Sequence, residues 1–247
     1  MTAWSALSWA HNMAGLTPPT QTPIAKLALQ TVSRESKQPA EQTTSVIREQ
    51  IQKMLRTLAD SGTKESLRFA LLICLLFYGA LRISEALALK QGDIKEQENE
   101  LSIHITRSKT DQRGGGNDVF IAKGTGPYSP SHLLKRFREK LNSEQTHCKR
   151  PLLPAFRGAA VDNRPMSYAV ARKTLADLLK KLSITQAMTF HSFRARATTV
   201  AANEGIHPHI IAKHGRWKRV ETMWQYYVKQ TPETRLQVLN ALLTTKK

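Results

Sequence analysis

The chain has 247 residues, 40% of them hydrophobic, and carries 37 lysines and arginines against 19 aspartates and glutamates. That length fits one large domain or one domain with part of a second, and the hydrophobic content is enough for a sizeable core. The formal net charge of +18 favours a nucleic acid as the partner, because a basic surface displaces counterions from a polyanion.

Other partners fit the composition less well. The longest apolar run, Phe69 to Leu81, is too short to span a bilayer and predicts a buried helix. No basic amphipathic helix lies beside a hydrophobic anchor, so a membrane surface is not favoured. The isolated Cys74 and Cys148 predict neither a disulfide framework nor a zinc site. Without a signal-peptide pattern we expect an intracellular protein: cytoplasm or nucleoid if bacterial or phage, nucleus if eukaryotic.

Hydrophobic periodicity predicts a mainly α-helical fold with a small antiparallel β-sheet. Helices are predicted at residues 3 to 14, 24 to 34, 45 to 59, 64 to 78, 82 to 89, 130 to 142, 167 to 181, 191 to 204, 207 to 214, 220 to 228 and 232 to 243. Two strands, LSIHIT (101 to 106) and NDVFIA (117 to 122), alternate in polarity and are joined by a long, basic, glycine-rich hairpin loop.

Two arginines are candidates for gripping a phosphate. Arg194 follows His191 by three positions, so on a helix the two share one face. Arg82 emerges from a nearly all-apolar helix and needs a partner, which Glu85 can supply three residues on. An in-line attack on a phosphodiester adds negative charge to the non-bridging oxygens, and two guanidinium forks can hold them. A purely structural pair of Arg82 and Glu85 is the competing interpretation.

Three further residues fit such an attack. Tyr226 is a candidate nucleophile, and two arginines and a histidine would help it lose a proton, because the unperturbed pKa of tyrosine is about 10. Trp217 offers an indole N–H to a phosphate oxygen and a large apolar face. Lys109, at the hairpin tip, could protonate the leaving 5′ oxygen, although a solvated turn lysine is the commoner situation.

Other chemistries have weaker signals. Several histidines could suggest a metal: His191, His207, His209 and His214. No carboxylate or cysteine completes a recognised ligand spacing around them, and the His207-Pro-His209 pair would chelate only weakly. The serine nucleophile elbow and the phosphate-binding Walker loop are both absent from the sequence.

As an ordered set, these motifs resemble the tyrosine recombinase, or phage integrase, family. The residues that carry the resemblance are Arg82, Lys109, His191, Arg194, Trp217 and Tyr226. The pattern is most similar to the phage P1 type, in which tryptophan replaces the commoner histidine nine residues before the tyrosine. Counting nine positions from Trp217 selects Tyr226 rather than Tyr227.

The resemblance implies the domain organisation. It covers Thr44 to about Leu242, and it implies a catalytic domain at 44 to 247 preceded by a linker at 38 to 43. The first segment is residues 1 to 37. Within it, residues 7 to 37 resemble the last two helices of the family's core-binding domain, which clamps DNA. The earlier helices of that domain are missing, so we expect either a fragment of a longer protein or a chain that has lost half of the clamp.

The resemblance also implies a mechanism. Tyr226 would attack the scissile phosphate, form a 3′-phosphotyrosine and release a 5′ hydroxyl, which then attacks a partner strand's phosphotyrosine. Glu85 matches the acidic partner of the first arginine, and no metal, nucleotide or redox cofactor is implied. Active members work as tetramers on two DNA sites and exchange a C-terminal helix. The amphipathic segment 232 to 243 fits that role, and a helix folded onto its own domain fits it nearly as well. Further DNA contacts are expected from Arg107, Arg113, Arg216, Lys218 and Arg219.

Two other functions stay open at this point. A type IB topoisomerase uses a similar set of residues but relaxes supercoils as a monomer. A non-catalytic remnant with half a clamp would bind DNA without cutting it.

Overall fold

The computed structural model describes residues 3–28, 44–106, 116–158 and 160–228. Contacts divide the chain into two units, Met1–Ala40 and Glu41–Lys247. In the first unit, helix α1 (Ala3–Met13) is followed by Gly15, whose φ of 69° is typical of a helix stop. A 3-10 turn at Pro19–Gln21 precedes α2, which is helical over the described residues 23–28. The role of this unit as a DNA clamp stays a prediction.

The second unit is mainly helical with two small antiparallel sheets, which confirms the predicted fold class. Its helices are α3 (Thr44–Ser61), α4 (Lys64–Phe77), α5 (Ile83–Ala88), α6 (Pro130–Glu139), α7 (Tyr168–Lys181), α8 (Phe190–Asn203), α9 (Pro208–Gly215) and α10 (Val220–Tyr227). Its strands are β1 (Ile94–Glu96), β2 (Glu100–Ile105), β3 (Asn117–Ala122), β4 (Pro154–Arg157) and β5 (Ala160–Pro165). The helix predicted at 232 to 243 lies outside the described residues.

Helix α4 is the centre of the core. Every residue from Leu67 to Phe77 is buried, and the helix packs against α3, α6 and α8. The Thr63 hydroxyl caps its start by accepting a hydrogen bond from the Ser66 backbone N–H at 3.2 Å. A helix that is apolar on nearly all sides must be enclosed by other elements, and these three helices enclose α4. Within the described ranges, none of the helices has the length and apolar character that a membrane span requires.

The three-stranded sheet has the order β1-β2-β3. Its β2–β3 pair is the hairpin predicted from the alternating strands, with Ile103 opposite Val119. Buried side chains alternate with outward-facing ones along both strands, as the period of two requires, and the apolar Phe120 and Ala122 lie on the exposed side of β3. The loop that joins these strands, residues 107–115, lies outside the described residues. It includes Arg107, Lys109 and Arg113.

Candidate active site

Arg194 is almost completely buried at the point where α8 meets the turns that follow α4 and α9. Only 1% of its surface is exposed. Its Nη1 donates to the Ala80 carbonyl at 2.5 Å, and its Nη2 donates to the Gly215 carbonyl. Burial, with repulsion from Arg82 and Arg216, lowers the pKa of Arg194 to about 9. The guanidinium is therefore held rigidly and still carries its charge at neutral pH.

A buried carboxylate joins two further arginines. Glu85, with 2% of its side chain exposed, accepts hydrogen bonds from Arg82 Nη1 at 2.7 Å, the Arg82 backbone N–H at 2.8 Å and Arg216 Nη2 at 2.7 Å. Burial alone would raise the pKa of Glu85, but the attraction of Arg216 and the hydrogen bonds from Arg82 outweigh it and lower that pKa. Glu85 is thus an ionised group that fixes both arginines.

Arg216 is part of this cluster, although the sequence suggested only a DNA contact beside Trp217. The chain leaves α9 through a left-handed residue at Arg216 (φ 60°), a helix-ending position where glycine is more usual. This turn directs the guanidinium inward, so that 8% of the side chain is exposed and its Nη2 bonds Glu85. A residue in this position acts inside the site rather than on the outer surface.

Four buried nitrogen atoms in this region have no hydrogen-bond partner among the described residues. They are Arg194 Nε, Arg216 Nε, Arg216 Nη1 and Trp217 Nε1. Buried polar groups in native proteins are nearly always paired, and these four can only donate. Three guanidinium groups face one carboxylate, which leaves two positive charges in excess. An anion with several acceptor oxygens, such as a phosphate, would satisfy both the donors and the charge.

Trp217 lies flat against this cluster. Its ring centroid is 3.9 Å from the Arg194 guanidinium carbon, a cation–π distance. The ring also fills the space beside Gly215, where an added Cβ would lie 1.7 Å from Cζ3 of Trp217. Only a glycine at this position therefore allows the indole to reach Arg194.

His191 lies in the first turn of α8, one turn before Arg194. Partial burial and the positive charges of Arg194 and Arg82 lower the pKa of His191. The imidazole is therefore neutral at neutral pH and can accept a proton. Another histidine, His214, lies near by and donates from Nε2 to the Tyr78 carbonyl at 2.8 Å, which ties α9 to the end of α4.

The structure places two adjacent tyrosines of α10 in different surroundings. The Tyr227 ring lies 4.7 Å from the His191 ring and 4.7 Å from the Trp217 ring, centroid to centroid. The Tyr226 side chain is 66% exposed and makes none of these ring contacts. The expectation that Tyr226 lies beside His191 is therefore not met. The spacing from Trp217 selects Tyr226 because it counts residues along the chain and carries no information on which side of α10 packs against the rest of the protein.

The cluster brings together most of the residues predicted from the sequence: Arg82, Glu85, His191, Arg194 and Trp217. Lys218 and Arg219 are exposed beside it, where a phosphate backbone could reach them. Arg107, Lys109 and Arg113 lie outside the described residues, so their roles stay predictions. Within the described part of the chain, no group of three or more histidine, cysteine, aspartate or glutamate side chains could hold a metal ion.

The family model described as the phage integrase family matches residues 45–234, which is more than half of the chain. The chain therefore belongs to the phage integrase family, the tyrosine recombinases. The comparison with curated proteins gave no match.

Solved structures of the same class share the fold. XerH bound to its palindromic difH substrate in a post-cleavage complex has a TM-score of 0.60 at 16% identity, over 83% of this chain and 54% of XerH. XerA recombinase has a TM-score of 0.56 at 17% identity, over 99% of this chain and 76% of XerA. The Tn1549 transposon integrase in complex with circular intermediate DNA has a TM-score of 0.52 at 16% identity, over 96% of this chain and 85% of the integrase chain. The chain thus spans about half the length of XerH.

Proposed function

We propose that this protein is a site-specific recombinase that cleaves and rejoins DNA strands through a 3′-phosphotyrosine intermediate. The observation that carries the proposal is the set of four unpartnered donors held by Arg194, Arg216 and Trp217 beside a neutral histidine. The net charge of +18 supports DNA as the substrate. The similarity in fold to XerH on difH and to the Tn1549 integrase on circular intermediate DNA supports the same substrate class.

The charge of the cluster suits the transition state better than the ground state. A phosphodiester carries a single negative charge, and the pentacoordinate state reached by in-line attack gains another on its non-bridging oxygens. The two excess positive charges of the cluster match that second state. Arg82 and Arg194 would grip the oxygens, and the Trp217 indole N–H would donate to one of them. Because all these groups are held by other residues before DNA binds, little reorganisation is needed during the reaction.

The remaining steps are proton transfers. The attacking tyrosine lies on α10; the family spacing assigns Tyr226 to this role, and Tyr227 is the tyrosine beside His191. The neutral His191 would accept the phenolic proton or hydrogen-bond the phosphate, and Lys109 would give a proton to the leaving 5′ oxygen. Since the phosphotyrosine keeps the energy of the broken phosphodiester bond, the rejoining step needs no nucleotide or metal cofactor.

The rest of the chain would bind and assemble on the substrate. Residues 1 to 37 would act as part of a clamp, 38 to 43 as a linker and 44 to 247 as the catalytic domain. Further phosphate contacts would come from Arg107, Arg113, Lys218 and Arg219, and Arg216 would contact the phosphate from inside the cluster. The segment at 232 to 243 would join neighbouring protomers of a tetramer on two DNA sites. Such an enzyme works in the compartment that holds its DNA, the cytoplasm and nucleoid or the nucleus.

The function can be tested without knowing the target sequence. A pool of randomised duplexes would each carry a nick placed so that the strand released by cleavage is short and diffuses away, which leaves the covalent intermediate unable to rejoin. We expect a protein–DNA adduct that survives boiling in detergent, and sequencing of the trapped DNA would give the target site. Tight binding with no adduct would instead support a non-catalytic remnant. Relaxation of a supercoiled plasmid by substoichiometric monomer would support the topoisomerase alternative.

Replacing Lys109 tests the identity of the proton donor. Lys109→Ala should slow cleavage of an ordinary substrate by roughly 10²–10⁴-fold, the usual contribution of a general acid. A substrate whose bridging 5′ oxygen is replaced by sulfur should restore the rate, because a thiolate leaves without a proton. Single-turnover cleavage of the two substrates measures this. Equal slowing on both would exclude Lys109 as the acid and leave it as a phosphate contact, and Arg107→Ala is the control on the same hairpin.

A further inference from the structure

The rotation of α10 about its axis is fixed by two contacts on its inner side. Met223 is fully buried in a small apolar cluster with Ile211 and Ala212 of α9. One turn later, the backbone carbonyl of Tyr227 accepts a hydrogen bond from the Thr199 hydroxyl of α8 at 3.1 Å. Residues three or four positions apart lie on the same side of a helix, so Met223 by itself is compatible with either tyrosine, and the contacts of the Tyr227 ring with His191 and Trp217 show which of the two points inward.

Tyr226 cannot share this orientation. Neighbouring residues on an α-helix point about 100° apart, so the contacts that direct Tyr227 toward His191 direct Tyr226 toward solvent. To bring Tyr226 inward, α10 would have to turn by a similar angle. That turn would carry Met223 out of its apolar cluster and break the hydrogen bond from Thr199.

The surroundings of Tyr227 also suit a nucleophile that attacks a phosphate. Its ring centroid is 5.6 Å from the Arg194 guanidinium carbon. The His191 ring, 4.7 Å away between centroids, is a proton acceptor on the same side. Tyr226 has none of these neighbours among the described residues.

We propose that Tyr227, and not Tyr226, is the nucleophile of this protein, an inference that rests on the strand-cleavage function proposed above. The phenolic oxygen of Tyr227 forms the bond to phosphorus, and the bond from phosphorus to the 5′ oxygen breaks. The phenolic proton passes to the neutral His191 ring, and the departing 5′ oxygen takes its proton from the proposed acid, Lys109. Tyr226 lies on the outer face of α10 and takes no part in the transfer.

Matched phenylalanine variants and peptide mapping test this assignment on the full chain. Tyr226→Phe and Tyr227→Phe each remove one hydroxyl and keep the ring, so Tyr227→Phe preserves the ring contacts with His191 and Trp217. Each variant, with the wild-type chain, is incubated with the nicked randomised duplexes and scored for adduct and for duplex affinity. The wild-type adduct is digested with nuclease and trypsin. Residues 220–229 form one tryptic peptide that contains both tyrosines, and fragmentation locates the attached nucleotide.

We expect the nucleotide on Tyr227, an adduct yield within about threefold of wild type for Tyr226→Phe, and loss of the adduct with unchanged DNA affinity for Tyr227→Phe. A nucleotide on Tyr226, or trapping that is lost in Tyr226→Phe and kept in Tyr227→Phe, would overturn the assignment. Trapping by both variants would overturn it as well. If the wild-type chain itself forms no adduct, the proposed function fails first, and this inference fails with it.

Discussion

Arg194→Lys is expected to lower the single-turnover cleavage rate by about a hundredfold or more, while equilibrium binding to DNA falls only slightly. Lysine keeps the charge but has a single ammonium group. It cannot donate at once to the Ala80 carbonyl, the Gly215 carbonyl and a phosphate, as the guanidinium of Arg194 is placed to do. The lost interaction belongs mainly to the transition state, where the phosphate oxygens carry the added charge.

Arg82→Lys should have a similar effect on the rate, and the double variant should cost less than the product of the two, because both arginines act on the same charge. Arg48→Lys is the matched control, since Arg48 is an exposed residue of α3 that pairs with Glu204, and its replacement should leave the rate nearly unchanged. Thermal unfolding must accompany the kinetics, because Arg82 also bonds Glu85. If Arg82→Lys unfolds the protein and Arg194→Lys cleaves normally, the cluster is structural.

Glu85→Gln is expected to lower the free energy of unfolding by about 3–5 kcal/mol, the usual cost of removing one partner from a buried ion pair. The amide would leave Arg82 and Arg216 without a counter-charge in a site that already contains Arg194. Urea unfolding at neutral pH measures the change. Glu139→Gln, at an exposed glutamate of α6, is the control and should change stability by less than about 0.5 kcal/mol.

The same variant predicts a pH dependence. The pKa of Glu85 in the folded protein lies below its unfolded value, since Arg216 and Arg82 favour the charged form. Its contribution to stability is therefore present above the unfolded pKa and is lost as the pH falls through the lowered folded pKa. The wild-type protein should lose this stability on acidification, and Glu85→Gln should lose less over the same range. Parallel acid profiles for both proteins would mean that Glu85 is not the ionised centre of the cluster.

Much of the fold could be predicted because its elements are strongly periodic. The apolar run from Phe69 predicted a buried helix, and α4 is the central helix of the core. The alternation at 101 to 106 and 117 to 122 predicted the β2–β3 hairpin. Strands β4 and β5 were missed because β5 is largely exposed and carries no buried alternation. Such a strand is held by its partner and leaves little signal in its own sequence.

The site was predicted in part, for a comparable reason. The three-residue spacing of His191 and Arg194 predicted a shared face from one helix alone, and the structure places both residues at the cluster. The position of Arg216 depends on a left-handed turn that a non-glycine residue rarely adopts, so no local rule indicated that its side chain turns inward. The choice between Tyr226 and Tyr227 depends on how α10 packs against α8 and α9, which places the Tyr227 ring beside His191 and Trp217. Both features arise from tertiary contacts.

The most direct test of the central claim, that this cluster neutralises the charge of a scissile phosphate, removes the charge from the phosphate itself. At the target site recovered from the randomised pool, a methylphosphonate would replace one charged non-bridging oxygen with a neutral methyl group. Single-turnover cleavage of the charged and neutral substrates would then be compared in the wild-type protein and in Arg194→Ala. We expect Arg194→Ala to be at least about a hundredfold slower than wild type on the charged phosphate and to recover most of that loss on the neutral one. An equal defect on both substrates would contradict the account, because Arg194 would then serve some purpose other than neutralising the phosphate.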